Sequence, residues 1–179
     1  MSYHQAGRPI AIETPLGEDA LLLTGFEGEE AVSRLFRFRL SMLSGNRAIK
    51  PRDIVGKAVS VRIERADGEP RWFHGHIARF EAGWDTPQGL REYSAEMVPW
   101  LWFLTQTTDC RIFQNKTVKD IATTIFGEFG FGDHDLSRVM EEHPSWEYSV
   151  QYRESAFDYL SRLFEHQGIF FYFRHEKGR

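Results

Sequence analysis

In the segment Leu35-Phe36-Arg37-Phe38-Arg39-Leu40-Ser41-Met42, apolar and polar side chains alternate, and Phe36, Phe38, Leu40 and Met42 fall on one face. Period-two alternation is the pattern of a strand with one buried and one wet face. It recurs through the first hundred residues. Val59, Val61 and Ile63 alternate with Ser60, Arg62 and Glu64, and Ile10–Glu13, Leu21–Phe26, Trp72–Phe80 and Glu92–Leu104 also read as strands. Turn residues separate them: Asp67-Gly68 tolerates the positive φ of a tight hairpin, and Pro87 and Gly89 mark another turn. About six strands with short turns predict a small β-barrel or sandwich. An aromatic content of 15 % agrees, because flat rings suit a half-buried pleated surface.

The pattern changes near Asp109. Thr117 and Asp120 resemble a capping box, and Val118, Ile121, Ala122, Ile125, Phe126 and Phe129 follow at helical spacing, with Gly130 placed to end the helix. The polar stretch 133–144 reads as a loop with a short helical turn. Trp146–Tyr152 alternates like a strand. Ser155 and Asp158 open a second helix whose apolar stripe is Phe157, Leu160, Leu163 and Phe164, closed by Gly168; an Asp158–Arg162 ion pair is expected on its wet side. Ile169–Phe173 reads as a strand apolar on both faces, expected to be covered by chain further along a longer parent protein or by a neighbouring subunit. The expected fold class is mainly β with an α+β C-terminal part: a barrel domain over 1–105, then an α+β segment over 106–179.

Composition excludes several functions. The net charge of -4 supplies no basic field for nucleic acid. Cys110 is the single cysteine, so neither an internal disulfide nor a multi-cysteine metal centre can form. No apolar run approaches the roughly 18 residues of a membrane span, and the N-terminus lacks the basic head and apolar core of a signal peptide.

The remaining chemical candidates are few. His74 and His76, at i and i+2 on a strand, share a face and could share a metal, with Glu81 or Asp85 folding back as a third ligand. The commoner reading is two strand histidines flanking a glycine at a close approach. Asp133-His134-Asp135 could hold a cation, but Asp is a common turn residue. Gly127, Gly130 and Gly132 follow a helix, whereas a phosphate loop precedes one. Cys110 is a nucleophile only if a histidine lies beside it. Arg34, Arg37 and Arg39 could bind phosphate, or pair with Glu27, Glu29 and Glu30.

Two longer segments carry a family resemblance. Phe113-Gln114-Asn115-Lys116-Thr117-Val118-Lys119-Asp120-Ile121 with Phe126-Gly127-Glu128-Phe129-Gly130 resembles part of the VgrG spike family of type VI secretion. The stretch from Val150 to Phe173, with Glu154-Ser155, Arg162-Leu163, Gly168-Ile169 and its aromatic end, is similar to that family's strand, helix and aromatic strand. Leu22, Thr24-Gly25-Phe26-Glu27, Leu35-Phe36, Gly75 and Trp100-Leu101 extend the resemblance over nearly the whole chain.

The resemblance implies a structural protein without an enzymatic role: a homotrimer at the tip of a contractile tube, akin to a phage baseplate hub. Its partners are the hexameric tube protein Hcp and baseplate proteins, with a PAAR-repeat tip and effectors held by more C-terminal regions. It implies assembly in the bacterial cytoplasm and export through the type VI machinery, without cofactor, metal, nucleic acid or membrane span. The alternative is a metal-binding or hydrolytic domain using His74 and His76. Self-association is expected of exposed aromatic surface at Phe170, Phe171, Phe173, Trp100, Trp102 and Phe103.

Overall fold

The computed structural model describes residues 3–139 and 142–178. It divides into two compact units, one formed by Met1–Ala31, Leu35–Pro99 and Phe173–Arg179, the other by Val32–Arg34 and Trp100–Tyr172.

The first unit is a nearly closed six-stranded antiparallel barrel with a short helix. Its strands are β1 (Ile10–Glu13), β2 (Leu22–Glu29), β3 (Arg37–Ser44), β4 (Ala58–Ile63), β5 (Arg71–Asp85) and β6 (Arg91–Val98), in the order β1-β4-β5-β6-β3-β2. The alternation in β3 does what the sequence predicts: Phe38, Leu40 and Met42 are buried while Arg37, Arg39 and Ser41 are exposed. The core gathers Phe36, Phe38, Leu40, Met42, Val61, Phe73, Ile77, Tyr93 and Met97. Helix α1 (Pro51–Ile54) is absent from the sequence reading; Pro51 opens it with a preset φ, and Asp53 accepts the Lys50 N–H at 2.9 Å.

The seam between β1 and β2 is closed by one side chain outside any strand. The Gln5 amide donates to the Ile12 carbonyl at 3.0 Å and accepts from the N–H groups of Ile12 at 2.9 Å and Leu23 at 3.1 Å. It thus satisfies both edges where no ladder joins them. Asp19 holds this arm, accepting from the Gln5 N–H at 2.8 Å and bonding His4 Nδ1 at 2.8 Å. The His4 contact, then the backbone bond, holds the Asp19 carboxyl below its ordinary pKa.

The expected strand Glu92–Leu104 is too long. It ends at Val98, Pro99 follows, and a 3₁₀ helix spans Trp100–Gln106; proline cannot donate to a ladder. The second unit then contains a two-stranded antiparallel ribbon of β7 (Thr108–Lys116) and β8 (Trp146–Ser155), with helices α2 (Val118–Glu128) and α3 (Ala156–His166). Both caps read from the sequence are present: Thr117 Oγ1 accepts the Asp120 N–H at 3.2 Å, and Ser155 Oγ accepts the Asp158 N–H at 3.0 Å. Gly130 and Gly168 take positive φ, and the N–H groups of Phe131 and Ile169 return to the carbonyls of Phe126 and Phe164. In the 133–144 stretch the chain is irregular with a turn at Ser137-Arg138; Met140 and Glu141 lie outside the described residues.

Two expectations are corrected here. Arg162 pairs with Glu154 at 2.6 Å and donates to the Val150 carbonyl at 3.2 Å, because Asp158 is engaged by the Ser155 hydroxyl at 2.7 Å. Ile169–Phe173 forms no strand. It is an extended segment whose alternate residues find partners within the chain: Phe171 lies 6.5 Å from Phe157 and 6.4 Å from Phe164, and Phe173 lies 5.1 Å from Phe36 in the barrel core.

Candidate functional site

The residues singled out for chemistry do not converge. His74 and His76 share a face, as expected, with ring centroids 6.1 Å apart. His74 Nδ1 meets Ser60 Oγ at 2.9 Å. Glu81 pairs with Arg79 at 2.6 Å and Asp85 with Arg47 at 3.6 Å, so neither folds back as a ligand. Among the described residues, no three His, Cys, Asp or Glu side chains group as a metal requires. Gly75 between the histidines marks a close approach: a Cβ there would lie 2.7 Å from the Val98 carbonyl and 2.8 Å from Met97 Cγ.

His134 packs its ring 4.9 Å from Phe126, and Asp135 accepts the Ser137 N–H at 2.8 Å as a turn residue. Gly130 belongs to a helix end. Cys110 is exposed, its sulfur accepting the Arg153 N–H at 3.4 Å.

What the two units present instead are two contrasting outer sheet faces. On the barrel, Glu27 lies opposite Arg39, Arg39 opposite Glu96, and Glu96 opposite Arg79, an alternating charge ladder across β2, β3, β6 and β5. The ladder largely satisfies itself: Arg39 bonds Glu27 at 3.2 Å, Arg37 meets Glu96 at 3.3 Å and Arg79 meets Glu81 at 2.6 Å. Arg37 therefore pairs with Glu96 where an upstream glutamate was expected, and Glu30 is taken by Arg71 at 3.2 Å and by His175 at 2.9 Å. Such a face is a solvated surface.

The ribbon differs. Its inner face packs on the helices: Phe113 stacks 5.7 Å from Tyr159, and Ser149 hydrogen-bonds the Tyr159 hydroxyl at 2.8 Å. Burial raises the pKa of that phenol. Arg111 spans Gln151 at 2.9 Å and Glu128 at 2.5 Å. On the outer face, Cys110 lies opposite Tyr152, Ile112 opposite Val150, and Gln114 opposite Tyr148, flanked by Lys116 opposite Trp146 and by the Arg153 guanidinium 5.3 Å from the Tyr152 ring. Tyr148, Tyr152 and Ile112 are each nearly two-thirds exposed, at 66 %, 64 % and 63 %.

This apolar face was missed in the sequence, although Tyr148, Val150 and Tyr152 stand at period two; its strand β7 buries little besides Phe113 and carries no clear alternation. Of the aromatic residues expected to be exposed, only Phe170 is, at 67 %. Trp100 packs 5.0 Å from Phe126, Phe103 stacks 5.8 Å from Phe131, and Trp102 is half-buried. Among the described residues, no helix is long and apolar enough to cross a membrane.

Comparison with known proteins gives this arrangement a context. The model of the phage tail baseplate hub (GPD) family matches residues 29–179. The chain is 44 % identical to the type VI secretion system spike protein VgrG1c of Pseudomonas aeruginosa, over all of its own length and 24 % of the relative's. It thus spans about a quarter of that relative. An E. coli component of the type VI secretion system, described as structurally similar to the bacteriophage T4 tail proteins gp27 and gp5, superposes with a TM-score of 0.76 at 25 % identity, covering 93 % of this chain and 45 % of that one. The 43 kDa tail protein of prophage MuSo2 from Shewanella oneidensis shares the fold, with a TM-score of 0.59 at 18 % identity, covering 89 % of this chain and 48 % of that one. The chain belongs to the phage tail baseplate hub (GPD) family.

Proposed function

We propose that this chain is the hub module of a type VI secretion spike, which trimerises and docks the spike on the Hcp tube for delivery of effectors into target cells. The observation that carries this reading is the alignment of the whole chain with a spike protein at 44 % identity. The fold supports it, because a small barrel with a largely self-satisfied charged exterior and a two-stranded ribbon that leaves Ile112, Tyr148 and Tyr152 exposed suit an assembling protein. Residues 1–105 supply the hub barrel, and 106–179 begin the second hub region. Baseplate proteins join at the hub; a PAAR-repeat tip and effectors are held by regions of the kind found beyond the matched quarter of the relatives. The role is structural, with no catalytic step assigned to these residues. Assembly takes place in the bacterial cytoplasm, and export uses the type VI machinery.

The test replaces the hub region of a functional spike with this chain in a bacterium that secretes Hcp. The expected result is Hcp in the medium and co-sedimentation of the purified chain with Hcp rings. A chimaera that accumulates in the cell without Hcp release, together with no binding to Hcp rings, overturns the reading.

A further inference from the structure

The outer face of the ribbon has an apolar centre between two cations. Ile112, Tyr148, Val150 and Tyr152 form the centre. Lys116, opposite Trp146, stands at one end, and Arg153, with its guanidinium 5.3 Å from the Tyr152 ring, stands at the other. Unusual backbone accompanies both cations. Between the pairs Cys110–Tyr152 and Asp109–Glu154, Arg153 is an extra residue on β8, a bulge of the kind that re-aims a side chain. Its φ is 51°, and Asn115, just before Lys116, has a φ of 50°; among the described residues only Asp19 and Ser33 are further non-glycine residues with positive φ. The nearby carboxylates are engaged elsewhere or belong to the other face. Glu154 is taken by Arg162 at 2.6 Å, Asp109 lies 3.9 Å from Arg111, and Glu147, between Trp146 and Tyr148, falls on the opposite face by alternation. Among the described residues neither Lys116 nor Arg153 forms an ion pair; Lys116 acts on Asp120 through longer-range attraction only.

We propose that this face is the docking strip for an amphipathic helix of a different protein, with an apolar stripe bounded at both ends by carboxylates. An apolar centre rich in tyrosine inside a charged rim is the anatomy of a protein interface. The two rim charges are of one sign, so they select a partner acidic at both ends and reject one that is basic there. A helix fits because the surface on offer is a sheet face. A strand added to a sheet needs a free edge for its backbone hydrogen bonds, whereas a helix satisfies its backbone within itself. The scale agrees. At about 3.4 Å per residue, the run from Cys110 to Lys116 spans about 20 Å, the length of a helix of about 14 residues. A helix is about 10 Å across, enough to cover both rows of side chains. A second copy of this chain cannot supply that helix, because the apolar stripes of α2 and α3 are already buried within their own unit.

The test is fluorescence anisotropy of a labelled 14-residue helical peptide, with leucines along one stripe and glutamate in its first and last turns, titrated with the full chain. Saturable binding that weakens with added salt is expected. Two variants are compared: an apolar one (Tyr148→Ser with Tyr152→Ser) and a charge-reversed one (Lys116→Glu with Arg153→Glu). Each is expected to bind the peptide at least tenfold more weakly. The same peptide with lysine in place of glutamate is expected to bind the unmodified chain at least tenfold more weakly and to regain affinity for the charge-reversed variant. Unchanged thermal melting checks folding; glutamine replaces glutamate in a charge variant that melts early, and loss of binding is still expected. Absence of saturable binding overturns the inference, as does equal binding to the native chain and the apolar variant, or equal binding of the glutamate and lysine peptides. Binding to phosphatidylglycerol vesicles without binding to the peptide also overturns it, since the face then belongs to a lipid surface. So does self-association in sedimentation that the apolar variant abolishes and the peptide does not compete with, since the face then belongs to a second copy. Co-sedimentation with Hcp rings is expected to be the same for the native chain and both variants; its loss in both variants would make this face the tube contact and overturn the partner helix while leaving the hub reading intact.

Discussion

The barrel and the ribbon are both antiparallel sheets with one face on a core, yet they treat water oppositely. The barrel turns a ladder of glutamates and arginines outward, and its single open seam is stitched by the Gln5 amide. The ribbon turns tyrosines, isoleucine and valine outward and has only two strands to share its hydrogen bonds. Isolated sheets avoid exposed apolar faces because these invite association. The difference separates a part built to stand by itself from a part built to be covered.

The comparison breaks first if the barrel does not depend on its seam. Gln5→Ala strips two buried N–H groups and a carbonyl of their partner, so a loss of about 3 kcal/mol is expected from thermal or denaturant unfolding. A change within measurement error would mean that the seam is held elsewhere. Tyr159→Phe tests the inner face of the ribbon: removing the hydroxyl leaves Ser149 without that bond, and a loss of about 1 kcal/mol is expected by the same measurement.

Acid tests a smaller contribution. The Asp120 carboxyl is held below its ordinary pKa, first by the Thr117 hydroxyl and then by the Thr117 N–H. Its contribution is therefore present above the unfolded value, near 4, and is lost as pH falls through the lower folded value. Asp120→Asn is expected to flatten that part of a melting-temperature curve recorded between pH 6 and pH 2; an unchanged curve refutes the assignment. The smallest effect belongs to the charge ladder. Arg39→Ala is expected to cost less than about 0.5 kcal/mol in thermal or denaturant unfolding, since exposed pairs contribute little. A loss well above about 1 kcal/mol would mean that the ladder holds the barrel together rather than merely facing water.

Much of the barrel was legible because its strands bury alternate residues: Phe38, Leu40 and Met42 announce β3, and Asp67-Gly68 announces a turn. The two longer helices were legible from their caps and apolar stripes. Gln5 was not, because a glutamine in a polar arm carries no pattern; its importance arises only when two strand edges distant in sequence come together. Strand β7 was hidden for a related reason. Its residues from Thr108 to Lys116 are mostly polar, and its pairing with β8 supplies the order that its composition does not. The tail misled in the opposite direction. Five apolar residues in succession suggested a strand covered from outside the chain, whereas Phe171 and Phe173 are accommodated within it and Phe170 and Tyr172 are left exposed.

The placement of Phe173 and His175 bears on how the protein is made. Both rings lie against Phe36, and His175 also accepts the His74 N–H at 3.1 Å through Nδ1. The barrel strands leave the ribosome first, but the side chains that complete their aromatic core are synthesised only after both longer helices have been made. A nascent barrel must therefore wait, with Phe36 and Phe73 incompletely covered, until the last residues of this stretch emerge. Synthesis order and core order run apart here, and a stalled or shortened polypeptide that contains every barrel strand still lacks a finished barrel.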